Sequence, residues 1–334
     1  MSNERKHAAF AFLLIILFAF PATAFPANLL FAYPALSGAQ AVYWIAYEHG
    51  LFKKHNLDVQ LIYIGGSTRS TQALVSGDIK VTGGGGFAAV SANLAGSDVV
   101  MIEGLVQTLP FALAAVPEIK QPKDLLGKSV GISAIGGSAD IAARYLLEKL
   151  SLRPIKDVAM RVIPGSYPDR IAAMEKRIVH AIPLDPTFVP AAQRMGAHVL
   201  IDMLSLERPY QYPNITVVTT RSYISSNTNE VRGTVRALIE GIYHFKTMKS
   251  EAIRIMSKYL RTDDAQFLAS TYALYNKLFL SVPYISMESV RNVFEQIPST
   301  SQKTKEISPQ SFMDMRFVKE AEEEGFISNL YKSP

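Results

Sequence analysis

Asp58-Val59-Gln60-Leu61-Ile62-Tyr63-Ile64-Gly65-Gly66-Ser67-Thr68-Arg69-Ser70-Thr71-Gln72-Ala73-Leu74-Val75-Ser76-Gly77 is the stretch on which the fold turns. Val59, Leu61 and Tyr63 alternate with their neighbours at the period of a strand. Gly65-Gly66 stops the strand, Ser67 opens a helix that runs to Ser76, and Gly77 ends it. Strand, glycine turn and helix in so short a space make half of a β-α-β unit.

The same rhythm extends in both directions. Residues 28–33 read as a strand and 41–56 as an amphipathic helix; after Gly77 come a strand at Val81, a helix over 87–94 and a strand over 99–102. It restarts with strands over 129–133, 158–163, 180–184 and 198–203, and helices over 138–150, 168–177 and 186–195. The expectation is an α/β protein of two lobes, each a mostly parallel sheet flanked by helices. Pro209, Tyr210, Tyr212 and Pro213 form a non-helical passage into a return strand over 214–220. Helices over 230–248, 250–260, 264–278, 287–295 and 308–324 then extend the first lobe. Residues 28–115 with 216–334 are expected to form the first lobe and 116–215 the second. The chain would cross between them near 115–123 and 212–218. Two crossings make a hinge, and the cleft beside a hinge is a ligand site.

A chain of 334 residues is long enough for two cores. With 49% hydrophobic and 19% charged residues, general disorder is excluded. The net charge of +5 is spread thinly with no Lys/Arg run, which argues against a nucleic-acid partner. Arg5 and Lys6 precede an apolar run over residues 8–20, then Pro21 and the small residues Ala22-Thr23-Ala24. That order reads as a signal peptide over residues 1–24, cleaved after Ala24 or, as a rival, after Ala27. The run is short for a hydrocarbon layer of about 30 Å, so an uncleaved anchor is the lesser reading. There is no cysteine, hence none to carry a lipid after the signal. The mature protein is expected free in the periplasm, as a monomer. Thiol catalysis, cysteine-based zinc sites and iron–sulfur ligation are excluded on the same ground.

Glycine and hydroxyl residues at strand ends are the chemically informative feature. Gly65-Gly66-Ser67-Thr68 and Gly136-Gly137-Ser138 each follow a strand and open a helix, one in each lobe. Helix N-termini leave N–H groups unpaired and carry partial positive charge, so they receive anions. Singly, either turn is explained by capping through Ser67 or Ser138; as a pair in opposite lobes, binding is the better reading. Thr82-Gly83-Gly84-Gly85-Gly86-Phe87 lacks the endings of nucleotide loops and reads as a close-approach turn or a plain tight turn. Arg69 stands beside the first turn, where it could reach an anionic head group or solvent. Asp169-Arg170 and Glu175-Lys176-Arg177 read as exposed helix charges, and Glu322-Glu323-Glu324 as a solvated face. The six histidines stand in no metal-binding spacing and no Gly-x-Ser-x-Gly elbow is present, so no catalytic centre, metal or cofactor is expected.

Longer matches carry a family resemblance. They run through Glu48-His49-Gly50-Leu51-Phe52-Lys53-Lys54, Leu57-Asp58-Val59, Gln72-Ala73-Leu74-Val75-Ser76-Gly77-Asp78-Ile79 and Asp124-Leu125-Leu126-Gly127-Lys128-Ser129-Val130-Gly131-Ile132. Arg144-Tyr145-Leu146-Leu147-Glu148-Lys149-Leu150 and Asp185-Pro186 complete them. In order and spacing the chain resembles the periplasmic solute-binding proteins of bacterial ABC transporters, in the nitrate, sulfonate and taurine branch. Those proteins share a fold with the fungal pyrimidine synthases of thiamine biosynthesis. The resemblance implies a type II periplasmic-binding fold that captures a small solute and delivers it to a membrane permease.

By position it also implies ligand contacts from Ser37, Gln40 and Tyr43, from Gly66, Ser67 and Thr68, and from Gly85, Gly86 and Thr108. Ser133, Gly137, Ser138 and Asp185 complete the implied set, and Tyr43 with Trp44 could pack an apolar tail. Lys80 departs from the family at an acidic position, and Arg177 with His180 replace a usual Gly and Asp. The ligand class implied is an anion such as sulfonate, nitrate or carboxylate; a pyrimidine precursor is the alternative. A synthase-like enzyme would need a cysteine-rich segment, which this chain lacks.

Overall fold

The computed structural model describes residues 28–208, 210–297 and 307–332. The expected signal peptide over residues 1–24, both candidate cleavage sites and Pro209 lie outside the described residues. No helix among the described residues is long and apolar enough to cross a membrane.

Strands β1 (Asn28–Tyr33), β2 (Asp58–Tyr63), β3 (Val81–Gly84) and β4 (Val99–Thr108) build one sheet together with a strand from far down the chain, Gln211–Thr220. β1 pairs in parallel with β2 and β3, while the distant strand lies antiparallel between β3 and β4. β5 (Ala112–Ala115), β6 (Ser129–Ile132), β7 (Ala159–Val162), β8 (Ala181–Leu184) and β9 (His198–Asp202) form the second sheet. There β6 is parallel to β7 and β8, and β5 runs antiparallel between β8 and β9. With Gln211–Thr220 named β10, the orders are β2-β1-β3-β10-β4 and β7-β6-β8-β5-β9. The two sheets repeat one plan. In each, the reversed strand is the one the chain lays down just after leaving the other sheet.

This pairing moves two segments relative to the sequence expectation. Ala112–Ala115 was expected in the first lobe and residues 211–215 in the second, yet each hydrogen-bonds into the opposite sheet. Ala-Leu-Ala-Ala carries no alternation and no β-branched residue, so nothing local announces a strand; its pairing comes from burial on both sides. The expected helix over 41–56 is also divided. Gly50 takes a left-handed conformation (φ 66) between α1 (Ala41–Glu48) and the turn Leu51–Lys54. The expected helix over 308–324 splits likewise into the 3-10 turn Pro309–Phe312 and a helix over Arg316–Glu323.

Helices α2 (Ser67–Val75), α3 (Gly86–Leu94), α4 (Ser138–Lys149) and α5 (Tyr167–Glu175) follow β2, β3, β6 and β7. The long α6 (Thr228–Thr247) buries Val235, Leu238, Ile242 and Phe245 against α1. Gly241 allows the close approach, since a Cβ there would meet the Val42 carbonyl oxygen at 3.0 Å. α7 (Lys249–Leu260), α8 (Ala265–Leu278) and the later helices Met287–Glu295, Arg316–Glu323 and Phe326–Lys332 add to the first lobe's helical layer, and α8 also reaches the turn Pro186–Phe188 of the second.

Candidate functional site

A cavity of about 270 Å³ lies where the carboxyl ends of the parallel strands in the two sheets face each other. Loops after β1 supply Pro34–Gln40 residues, the turn after β2 supplies Gly66 and Ser67, and β6, β7 and β8 supply Ser133, Ser166 and Asp185. Open α/β sheets place ligands at this edge, because strand ends and helix starts meet there. α2 and α4 bring their N-termini to the cavity from opposite lobes through Ser67 and through Gly137-Ser138. Neither serine caps its helix through the side chain. Capping was the plain explanation for both, and its absence leaves their polar groups for other use. The Ser67 hydroxyl instead accepts from the Gly85 N–H at 3.1 Å.

Of the residues expected at the site, Ser37, Gln40, Gly66, Ser67, Ser133, Gly137, Ser138 and Asp185 line the cavity. Tyr43, Thr68, Gly85, Gly86 and Thr108 do not. Tyr43 is fully buried in the first core, where its hydroxyl donates to the Thr216 carbonyl at 3.3 Å. Trp44 beside it is buried too, so neither packs a ligand tail. Thr68 Oγ1 donates to the Ile135 carbonyl at 3.1 Å, tying one lobe to the other at the rim. Gly85 lies behind the cavity wall, where a Cβ would stand 2.8 Å from Ser138 Oγ. A Cβ on Gly86 would strike the Pro213 ring at 2.3 Å, so that glycine admits the crossing strand. Thr108 Oγ1 donates to the Tyr210 carbonyl at 3.2 Å and pins the two crossing segments together. The departures Lys80, Arg177 and His180 also lie away from the cavity. Arg177 keeps the left-handed conformation (φ 59) for which glycine is suited, and pairs with Glu118 at 2.7 Å.

Arg170 corrects the sequence reading most. The charged Asp169-Arg170 pair predicts an exposed helix charge, yet Arg170 is 4% exposed and lines the cavity. Tyr167, Arg170, Ile171 and Met174 share the buried face of α5, at helical spacing that was open to view. The guanidinium lies 4.6 Å over the Tyr167 ring, and Nη1 donates to the Gly165 carbonyl at 3.0 Å. Among the described residues Nε has no partner, and no carboxylate forms an ion pair with the group. Burial draws its pKa below the ordinary arginine value, while Tyr167, Tyr63 and Asp169 oppose that. Asp169 beside it does sit outside, accepting from the Ser166 N–H and hydroxyl at 2.7 Å each.

Sequence reasoning also missed Asn214 and Tyr275, which reach the cavity from β10 and α8. Asn214 and Gln40 are buried amides whose oxygens lack partners among the described residues. Tyr63, Phe111, Tyr167 and Tyr275 supply aromatic wall, and Arg69 lines the cavity as an exposed cation. Among the described residues Asp185 is the one carboxylate of the lining. Burial raises its pKa; its oxygens are taken by the Tyr275 hydroxyl and by Thr187, whose N–H and Oγ1 donate at 3.0 and 2.7 Å. Among the described residues, the buried lining atoms left without a partner are thus one donor, Arg170 Nε, and two acceptors, the amide oxygens of Gln40 and Asn214. Among the described residues no cluster of His, Asp or Glu is placed to hold a metal.

The NMT1/THI5-like family model matches residues 39–251. No curated protein matches the sequence. Among solved structures, a protein from Bordetella bronchiseptica RB50 superposes with a TM-score of 0.79 at 17% identity, covering 89% of this chain and 98% of its own. The alkanesulfonate-binding protein SsuA from Xanthomonas axonopodis pv. citri, bound to MOPS, gives 0.71 at 18%, covering 88% and 100%. The periplasmic nitrate-binding protein NrtA from Synechocystis PCC 6803 gives 0.70 at 13%, covering 90% and 89%. The chain has the periplasmic binding protein fold that these similarities share.

Proposed function

The chain belongs to the NMT1/THI5-like family, and from that premise we propose that it is a periplasmic receptor for a small organic anion. It captures the solute between its lobes, performs no chemistry on it, and passes it as a monomer to an ABC permease in the inner membrane. The observation that carries this reading is Arg170, a buried cation at the cavity wall that among the described residues has no carboxylate partner and a free Nε. A buried charge left so incompletely paired is costly unless something else completes it. An oxyanion between Arg170 and the N-termini of α2 and α4 would do so. Hinge closure then removes water from that contact and shifts the population toward the closed form.

The aromatic walls and a cavity of about 270 Å³ favour a ligand with an apolar body over nitrate. A second reading, a pyrimidine precursor, is supported by the amides of Gln40 and Asn214, each offering both a donor and an acceptor. A thermal-shift panel of alkane- and arylsulfonates, carboxylates, nitrate and pyrimidines tests both. A ligand at a hundred times its Kd should stabilise by about 2.7 kcal/mol. Stabilisation by anions alone supports the first reading and by pyrimidines alone the second; silence across the panel, or conversion of a ligand to product, overturns the receptor.

A further inference from the structure

Asp185 stands at the end of β8 in the second lobe, where its Oδ1 caps the turn Pro186–Phe188 through Thr187. Tyr275 belongs to α8, in the first lobe. Their side chains meet at the cavity floor, with the tyrosine hydroxyl donating to Asp185 Oδ2, and both residues are buried. Ser37, in the loop after β1, lines the same cavity beside Tyr275. A chain of polar contacts thus runs Tyr275–Asp185–Thr187 from one lobe into the other. The same two elements meet again beside it, where Phe267 of α8 sets its ring edge-on to Phe188 at 5.2 Å. Phe188 stacks at 4.6 Å on Tyr167, the ring that carries Arg170.

We propose that Asp185 and Tyr275 form an interlobe latch: they set ligand affinity by holding the cleft shut, and not by touching the ligand. This rests on the receptor reading above and assigns Asp185 a different part from the ligand contact that the family resemblance implied. Both oxygens of Asp185 are committed to protein donors. A hydrogen bond to a carboxylate away from water is stronger than an exposed one, so the free protein spends much of its time closed. The apparent Kd is then the intrinsic one divided by the closed fraction, and loosening the latch weakens binding without removing a ligand contact.

Tyr275→Phe removes only the hydroxyl and keeps the ring that packs beside Gly38. The chain has no cysteine, so Lys53→Cys and Lys156→Cys, exposed positions in opposite lobes, supply a clean pair of spin labels. Without ligand the labelled protein should show mainly one distance, and Tyr275→Phe should add a longer one. Saturating benzenesulfonate should restore a common distance, with affinity lowered about tenfold in the variant. Asp185→Asn should open the free protein as Tyr275→Phe does, and the two changes together should add little, because they break one contact. A free variant that keeps the wild-type distances overturns the latch, as does a wild type that is mainly open. Lost affinity with unchanged distances would make the hydroxyl a ligand contact instead. If benzenesulfonate does not bind, the receptor reading suffers, while the ligand-free distances still decide the latch.

Discussion

Replacing Arg170 by methionine separates a residue kept for binding from one kept for folding. Methionine retains most of the stem that packs on Tyr167 and deletes the guanidinium. On the unfavourable side, the Gly165 carbonyl loses its 3.0 Å donor and the ring loses its cation at 4.6 Å. Each is worth about 1 kcal/mol. On the favourable side, a cation 4% exposed and without a carboxylate partner no longer has to be desolvated, a relief of similar size or larger. The two sides nearly cancel, so ligand-free stability should move by no more than about 1.5 kcal/mol in either direction. Binding has no such compensation. Truncating one partner of a buried charge pair costs about 2–5 kcal/mol, and the lower part of that range is already about a hundredfold in Kd. At a ligand concentration a hundred times the wild-type Kd, the wild type gains about 2.7 kcal/mol and the variant about 0.4. For a chain of this size those gains correspond to about 5 °C and 1 °C in Tm. Differential scanning calorimetry with and without ligand reads both quantities from one preparation. A variant that keeps the full ligand shift places the anion elsewhere. One that loses more than about 3 kcal/mol without ligand makes Arg170 structural.

Gly85→Ala should weaken binding about tenfold by calorimetric titration while leaving ligand-free stability within about 1 kcal/mol. Its φ of −89 suits alanine, and the new Cβ would press on Ser138 Oγ across the cleft at 2.8 Å; an unchanged Kd would show that the lobes do not need this approach. Glu103 is buried in β4 with neither carboxylate oxygen partnered among the described residues, and burial pushes its pKa well above the usual carboxylate range. Stability from such a group is full below its ordinary value of 4.5 and is lost as pH rises. Glu103→Met should therefore raise neutral-pH stability by about 1–3 kcal/mol, read as a higher urea midpoint at unchanged slope; a lower midpoint would reveal a partner for the acid. His244 sits with Nδ1 2.6 Å from His49 Nδ1, and burial followed by the His49 charge lowers its pKa from 6.5. Its contribution is present above pH 6.5 and is lost as pH falls, because the unfolded chain takes up the proton first. The drop in stability between a unit above and a unit below that pH should shrink in His244→Gln; an undiminished drop would place the titration elsewhere, His180 being the first alternative since its pKa is lowered too.

The residues that were legible in the sequence and those that were not divide by how far their information travels. The glycine-serine turns at Gly66-Ser67 and Gly137-Ser138 are local devices, complete within a strand end and a helix start, and both were found. Arg170 was legible by period but misread by charge: an Asp-Arg pair looks solvated, whereas the spacing with Tyr167, Ile171 and Met174 puts the arginine inside. Tyr43 failed for the reverse reason. α1 buries Ala41, Val42, Tyr43, Trp44, Ile45 and Ala46 alike, so an apolar helix had no face to distinguish cleft from core. Ala112–Ala115 carries too little side chain to signal a strand, and its place between β8 and β9 is decided only by the sheet around it. Asn214 and Tyr275 arrive from the returning chain, more than a hundred residues after the Ser67 turn they face. No local pattern can say which residue of one lobe will look at which of the other, because that is settled by how the lobes close. A cleft of this kind therefore shows its glycine-serine turns in sequence, and hides the contacts that run between its lobes.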